Sequence, residues 1–401
     1  MSKVPAGWYE DVFGNVMSFK NGLNFTKSAL GETIKIVGVG DFKDYSELRN
    51  TQCLEFIQVA NKIRDEELLK DGDLLFVRSN GNKNLIGRCL FFPFVKERLS
   101  FSGFTIRGRV DSKKILPEYA SYLSRSSLVK EQINQNGGGT NISNLSQQIL
   151  NDIEFLRPPL PEQTKIAQIL STWDKAIATT EQLISNSQQQ KKALMQSLLT
   201  GKKRLPGFEG EWVVQPLDNW IEEYKKKSSE NDQYEVLTSS RNGLVLQSDY
   251  FENNRISSRE NIGFNIIPEG YVTYRSRSDD GRFTFNINKL GFTGLISIYY
   301  PVFYFPNGSL EFFINMLSFN ERLFEAHSVG TSQKVLSINA LKLMRFKIPP
   351  LPEQQKIAAV LTAADNEIEL LQKKLSFLKQ EKTALMQQLL TGKRRVKVEA
   401  A

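Results

Sequence analysis

The chain has 401 residues, 40% hydrophobic and 24% charged, with a net charge of +8. That length leaves room for two or three domains, and the basic balance points to an anionic partner. No run of about 18 apolar residues exists to cross a membrane. Two cysteines (Cys53, Cys89) exclude a disulfide framework, and the single histidine, His327, excludes histidine metal sites and most catalytic triads.

The start, Met1-Ser2-Lys3-Val4-Pro5, carries no apolar signal core, so a cytoplasmic location is expected. Residues 1–157 read as one globular segment. Ile34-Lys35-Ile36-Val37 and Leu74-Leu75-Phe76-Val77 are strand-like, the second entered through Gly72. From Leu74 to Val110, seven cations (Arg78, Lys83, Arg88, Lys96, Arg98, Arg107, Arg109) stand against one acid, Glu97, with Ser79, Asn80, Asn82 and Asn84 interleaved. Arginine and asparagine grip guanine and adenine edges in the major groove, while lysine, serine and backbone N–H groups hold phosphate. Arg78, Asn80, Lys83, Arg88, Arg107 and Arg109 are therefore candidate DNA contacts. A short helix is predicted over Leu116 to Leu123. The polar, glycine-rich loop Asn136 to Asn141 adds Thr140 and Asn141, since glycine lets backbone approach a ligand closely.

Residues 158–204 read as a long helix with a coiled-coil seam. Ile166, Leu170, Trp173, Ile177, Leu194 and Leu198 fall on steps of four and three. Pro161 suits a first helical turn, Glu162 complements the helix dipole, and Gly201 fits the left-handed residue past the end. About 39 residues at 1.5 Å each make a rod of roughly 58 Å. Lys191 interrupts the seam; polar seam residues set register at a cost in stability.

Residues 205–348 read as a second globular segment. Strands are predicted at Tyr234 to Leu237 and, after Gly270, at Tyr271 to Tyr274, with a helix over Leu310 to Leu317. Its candidate DNA contacts are Arg241, Asn242, Arg275, Arg277 and Arg282, and, from the polar loop Gly330 to Lys334, Thr331, Gln333 and Lys334. Residues 349–401 are a second long helix and a basic tail, with Ile357, Leu361, Ile368, Leu375, Leu385 and Leu389 on the seam and Lys382 interrupting it.

The two helices are one element written twice. Pro158-Pro159-Leu160-Pro161-Glu162-Gln163 returns as Pro349-Pro350-Leu351-Pro352-Glu353-Gln354, and both copies end in Leu-Leu-Thr-Gly-Lys. At a register of 191 residues no gap is needed from Pro158 to Arg204, and 25 of the 47 pairs are identical. The globular segments hardly match, so the pattern is a duplicated scaffold carrying two different readers. The helical blocks hold seven Lys/Arg against three Asp/Glu and eight against five, hence +7 of the +8. Any nucleic-acid surface on the globular segments must come from clustering. Trp8, Phe13 and Gly14 resemble Trp212, Leu217 and Asp218, which follow the first helix, so the start of the chain resumes what the end of the second helix would continue. An antiparallel pairing of the two helices closes such a cyclic arrangement well. The fold class expected is α+β: two globular domains with antiparallel sheet, separated by two long helices packed as an antiparallel coiled coil, with pseudo-twofold internal symmetry.

Catalytic sets are missing. Gly201-Lys202 lacks the rest of a phosphate loop, Gly38-Val39-Gly40 reads as a short turn, and Asp71 and Asp73 read as turn formers. Asp218 with Glu223-Tyr224-Lys225 imitates a nuclease pattern only as any charged stretch does. A non-catalytic binding protein is the better reading.

The duplicated Pro-Pro-Leu-Pro-Glu-Gln blocks, the helices ending Leu-Leu-Thr-Gly-Lys, the entry Leu-Pro-Gly-Phe-Glu-Gly-Glu-Trp (Leu205 to Trp212) and Gly330 to Ser337 together resemble the specificity subunit of type I restriction–modification enzymes. The resemblance covers essentially the whole chain. It implies that residues 1–157 and 205–348 are target recognition domains, each reading a few base pairs of double-stranded DNA, with the helices as spacer. It also implies two methyltransferase subunits docked on the helices, bringing S-adenosylmethionine, and restriction subunits bringing ATP and Mg²⁺; no cofactor is expected in this chain. Two alternatives remain at this point: a coiled-coil adaptor whose arms bind proteins, and a self-sufficient nuclease.

Overall fold

The computed structural model describes residues 4–24, 27–42, 45–60, 62–136, 144–250, 260–330 and 333–398. They form two compact units, residues 1–181 with 374–401 and residues 182–373, so the division falls inside each long helix.

The first unit contains β1 (Tyr9–Val12), α1 (Phe13–Val16), β2 (Met17–Asn21), β3 (Lys27–Val37), β4 (Phe56–Val59), β5 (Leu74–Val77), β6 (Cys89–Phe91), β7 (Leu99–Phe101), β8 (Thr105–Val110), α2 (Pro117–Ser124), α3 (Ser127–Asn136), α4 (Gln147–Asn151) and β9 (Glu154–Arg157), followed by the start of α5 (Leu160–Leu198). Its main sheet has the order β2-β8-β5-β6, and a second has the order β4-β3-β7. Pairing is antiparallel throughout except between β3 and β7, which run parallel, a departure from the all-antiparallel expectation. Every residue of β5 is buried. Alternation along a strand explains this: Leu74 and Phe76 enter the core that holds α2 and α3, and Leu75 and Val77 enter the core beneath Val37, Phe42 and Phe101.

The second unit contains β10 (Val213–Pro216), β11 (Glu222–Glu223), β12 (Leu237–Ser240), β13 (Gly243–Leu246), α6 (Gln247–Tyr250), β14 (Asn265–Ile267), β15 (Val272–Tyr274), β16 (Arg277–Ser278), β17 (Phe285–Ile287), β18 (Gly294–Ile296), β19 (Val302–Tyr304), α7 (Leu310–Phe319), α8 (Glu321–His327), β20 (Lys334–Val335), α9 (Ile338–Leu343) and β21 (Arg345–Ile348), followed by the start of α10 (Leu351–Leu390). Its main sheet, β11-β19-β15-β17, repeats the order of the first unit's sheet, and β10–β21 repeats β1–β9. One topology thus underlies two nearly unrelated sequences. The strand predicted at Tyr234 begins instead at Leu237. Asp232 sits at φ 55 and exchanges hydrogen bonds with Asn261, which bends the chain ahead of the strand.

The helix ends belong to the globular cores. Ile166 and Leu170 at the start of α5 share a core with Leu389 and Leu390 at the end of α10. In the second unit, Leu198 and Leu199 share a core with Ile357 and Leu361. Within each unit the two helical segments therefore run in opposite directions. Of the seam residues, Ile166, Leu170, Leu198, Ile357, Leu361, Ile368 and Leu389 are buried, and Trp173, Ile177, Leu194, Leu375 and Leu385 are half-buried. The lysines that interrupt the seam have acidic partners across it. Lys382 meets Asp174 in the first unit and Lys191 meets Asp365 in the second, each at 2.5 Å.

The repeated Glu-Gln dipeptides form the joints. Glu353, fully buried, accepts a hydrogen bond from the Trp212 indole (3.0 Å) and a two-point contact from Arg204 (2.6 and 2.7 Å). Glu162 receives Trp8 and Arg395 in the same way. That hydrogen bonding holds both guanidinium pKa values above their ordinary level. Gln163 accepts from the Leu116 N–H (2.7 Å) and donates to the Pro158 carbonyl (2.8 Å); Gln354 does the same with Ser309 (3.0 Å) and Pro349 (2.9 Å). Each joint ties the first turn of one long helix to the segment following the other. Arg395 also donates to the Ala6 carbonyl (2.8 Å), so the two ends of the chain meet as the repeat predicts.

Candidate nucleic-acid interface

In the first unit, β5 and β6 are joined by a hairpin loop that carries Arg78, Asn80, Lys83 and Arg88. The Val77 N–H donates to the Arg88 carbonyl (2.9 Å), which sets Arg78 and Arg88 at the mouth of the loop. Between them Asn80 accepts from the Asn82 N–H (2.8 Å) and Asn82 from the Asn84 N–H (3.1 Å), two local turns typical of asparagine. The Arg78 guanidinium reaches the Gly103 carbonyl (3.3 Å), and its backbone N–H donates to the Phe104 carbonyl (2.8 Å). An open groove of about 540 Å³ lies here, lined by Ile36, Ile57, Ser79, Asn80, Ser102 and Phe104 among others.

Arg107 and Arg109 do not join this loop. Arg107 is 5% exposed, donates to the carbonyls of Glu66 (2.6 Å) and Leu68 (3.3 Å), and lies over the Phe101 ring. Burial first, then the neighbouring Arg109, lowers its pKa. Arg109 holds the buried Asp73 with two hydrogen bonds (3.0 and 2.8 Å). Both arginines are inner fastenings of the sheet, which corrects the expectation that they face DNA. Asp73 likewise does more than form a turn. Thr140, Asn141 and Thr331 lie outside the described residues.

In the second unit three stretches distant in sequence converge. Arg241 and Asn242 sit in the β12–β13 turn, where Gly243 adopts φ +126 and Ser240 accepts from the Asn242 N–H (3.1 Å). Arg241 forms an ion pair with Asp280. Asp280 also accepts from the Ser278 hydroxyl (2.9 Å) and the Arg282 N–H (3.2 Å), and these hydrogen bonds, Ser278 foremost, lower its pKa. Arg277 and Ser278 pair in β-register with Val335 and Lys334, and Gln333 donates to Asp279 (3.0 Å). Arg275, Arg277 and Arg282 are exposed. Arg241, Asn242, Arg275, Arg277, Arg282, Gln333 and Lys334 thus lie on connected elements.

Two exposed aromatic residues lie beside these loops and are absent from the candidates read from the sequence. Phe104 and Tyr299 are 63% and 51% exposed and occupy matching places ahead of β8 and β19. The carbonyl of Phe104 accepts from Arg78 and Ser79; that of Tyr299 accepts from Ser276. Arg277 lies 4.4 Å above the Tyr299 ring. An aromatic just after small or turn residues and just before a strand, as in Ser102-Gly103-Phe104, was the available signal.

Among the described residues no group of three or more His, Cys, Asp or Glu could hold a metal ion, and Asp218 and Glu223 both grip Lys342 (3.1 and 3.2 Å). Two units of one topology, each carrying arginines at the end of its sheet's inner strand, define a duplicated recognition protein. The family described as "Type I restriction modification DNA specificity domain" matches residues 64–186 and 222–380. The chain belongs to that family, and is thus a DNA-recognition subunit rather than a catalytic one. It is 24% identical over 425 aligned positions to the type I restriction enzyme MjaVIII specificity subunit of Methanocaldococcus jannaschii, covering 98% of this chain and 95% of that protein. Its fold matches the crystal structure of the HsdS subunit from Thermoanaerobacter tengcongensis at TM-score 0.53, with 17% identity and 98% of both chains covered. A second solved chain, from work on complex assembly and conformational transition of the type I R-M system, matches at TM-score 0.61, with 16% identity and 98% and 100% covered. No helix among the described residues is long and apolar enough to cross a membrane.

Alanine substitutions separate reading from fastening. Arg109→Ala leaves Asp73, whose side chain is 1% exposed, buried with only the Lys70 N–H (2.7 Å) as a donor, and is expected to cost about 3 kcal/mol in urea unfolding. Arg78→Ala is expected to leave unfolding within about 0.5 kcal/mol and to cost about 1–3 kcal/mol in DNA binding if it reads a base. If alanine at Arg78, Arg88, Arg275 and Arg277 together leaves the methylation pattern and rate unchanged, these loops are not the readers.

Proposed function

We propose that the chain reads a bipartite DNA site, one half-site per globular domain, with the two long helices acting as an antiparallel coiled-coil spacer and as the dock for partners. The partners are two methyltransferase subunits, which bring S-adenosylmethionine and methylate adenine, and restriction subunits, which bring ATP and Mg²⁺. The complex works in the cytoplasm. One observation supports this reading above the others: two units of shared topology keep their joints alike, through Glu162 and Glu353, while the loops that carry the candidate DNA contacts are largely unlike in sequence.

The test is a domain exchange. Replacing residues 205–348 with the second domain of another specificity subunit and mapping methylated adenines in cells is expected to alter one half of the methylated motif. A change in both halves would rule out independent readers, and a motif unaffected by the exchange would remove this chain as the reader.

A further inference from the structure

Phe104 and Tyr299 need an explanation that packing does not provide. Each is a large apolar ring mostly in water, although the sequences around them are otherwise unlike. Each is held by its backbone to the residues just after the inner strand of the main sheet: Phe104 to Arg78 and Ser79, Tyr299 to Ser276. Each has an arginine for a neighbour, Arg78 through the Gly103 carbonyl (3.3 Å) and Arg277 through the ring face (4.4 Å). Phe104 also borders the groove lined by Ser79 and Asn80.

The surroundings select the occupant. Phe104 shares its groove with the apolar Ile36, Val39 and Ile57 and with the polar Ser79, Asn80 and Ser102, and Tyr299 lies beneath Arg277 and beside Ser276; each place sets an aromatic surface next to side chains of the kind that contact base edges and phosphates. The apolar feature of the major groove is the C5 methyl of thymine, which phenylalanine contacts in known readout. Guanine beside it offers O6 and N7 to an arginine fork. A guanidinium stacked on an aromatic face keeps its edge donors free for such a contact.

Resting on the reading of this chain as a DNA-sequence reader, we propose that Phe104 and Tyr299 are specificity-determining residues, each placed against a thymine methyl in the major groove of its half-site, beside an arginine. The two rings make the same contact at equivalent places in the two units. Tyr299 in addition orients Arg277.

Deoxyuridine removes only the methyl and tests this directly. Once the methylated motif is known, the complete complex with its methyltransferase subunits is assayed on duplexes in which each thymine of the site, on either strand, is replaced singly by deoxyuridine. The expected result is one sensitive thymine per half-site, with methylation at limiting DNA falling roughly fourfold, the worth of one buried methyl. Phe104→Ala is expected to lose a similar factor on unmodified DNA and to become indifferent to deoxyuridine at one position only; Tyr299→Ala should do the same in the other half-site. Wild-type complex indifferent to every replacement, or alanine variants that keep the full deoxyuridine effect, would overturn the proposal. If the domain exchange still switches the motif in that event, the chain remains the reader and only the aromatic assignment fails. If the exchange fails as well, the broader reading fails with it.

Discussion

Glu353→Ala is expected to destabilise the unit of residues 182–373 by about 3 kcal/mol. The carboxylate is fully buried, stands in the first turn of α10, and satisfies two different donors, the Arg204 guanidinium and the Trp212 indole N–H. Removing it leaves the buried indole donor unsatisfied, worth about 1–3 kcal/mol, and takes negative charge from a helix start, worth about 0.3–1 kcal/mol. Arg204 keeps 23% of its side chain in water and can be rehydrated in part, so the total belongs at the low end for a broken buried pair. Glu353→Gln retains an acceptor and the volume, so its loss should be smaller. Glu162→Ala in the other unit should also cost less, because its partner Arg395 is 39% exposed. Urea unfolding with hydrogen exchange resolved by segment reads all three. Loss of protection in residues 205–348 with residues 9–157 unaffected is the expected pattern. A cost below about 1 kcal/mol for Glu353→Ala would mean that the joint does not hold the helix to the core.

These joints also show what was legible in the sequence. The repeat and the two long helices could be read because each depends on local periodicity or on residue types with a fixed conformational role, such as Pro161 and Gly201. The sequence places Glu162 and Glu353 as dipole partners, which is true of their place in the helix. Their tryptophan and arginine partners come from 141 and 154, and from 149 and 233, residues away, and nothing local announces them. The candidate site is legible in the sequence only to the level of segments. The hairpin from Arg78 to Arg88 reads as one candidate stretch because its residues are contiguous. Arg107 and Arg109 fell in the same basic run but lie on β8, where alternate residues share a face, and that face turns toward Asp73 and the Leu68 carbonyl. A charge count cannot separate a guanidinium in water from one bound to buried carbonyls. Phe104 and Tyr299 escaped because an aromatic residue is taken for core until its exposure is known.

The proposed spacer role leads to the other large expected effect. Ion pairs match the helices within each unit, Lys382–Asp174 and Lys379–Glu181 in the first and Lys191–Asp365 in the second. An insertion in one helix alone would put these pairs out of step, so the informative variant lengthens both, after Ser185 in α5 and after Leu371 in α10, which lies opposite when the Lys191–Asp365 pairing is extended. Four added residues lengthen a helix by about 6 Å and turn it by about 40°. By length alone the spacer between half-sites should grow by nearly two base pairs at about 3.4 Å each. By rotation it should grow by one, because a base pair turns the duplex by roughly 35°. Rotation decides which groove edge meets each reading loop, whereas a mismatch of about 3 Å along the duplex can be absorbed by tilt, so one base pair is the favoured outcome and two the upper bound. Seven added residues preserve the four-three seam better but turn the helix by only about −20° for about 10.5 Å of length. Three extra base pairs would turn the duplex by roughly 105°, so this variant should fold well and methylate poorly. Methylome sequencing of cells carrying each variant distinguishes the cases. A four-residue variant that methylates both half-sites at the original spacing would deny the helices any part in measuring the site and leave them only as a platform for partner subunits.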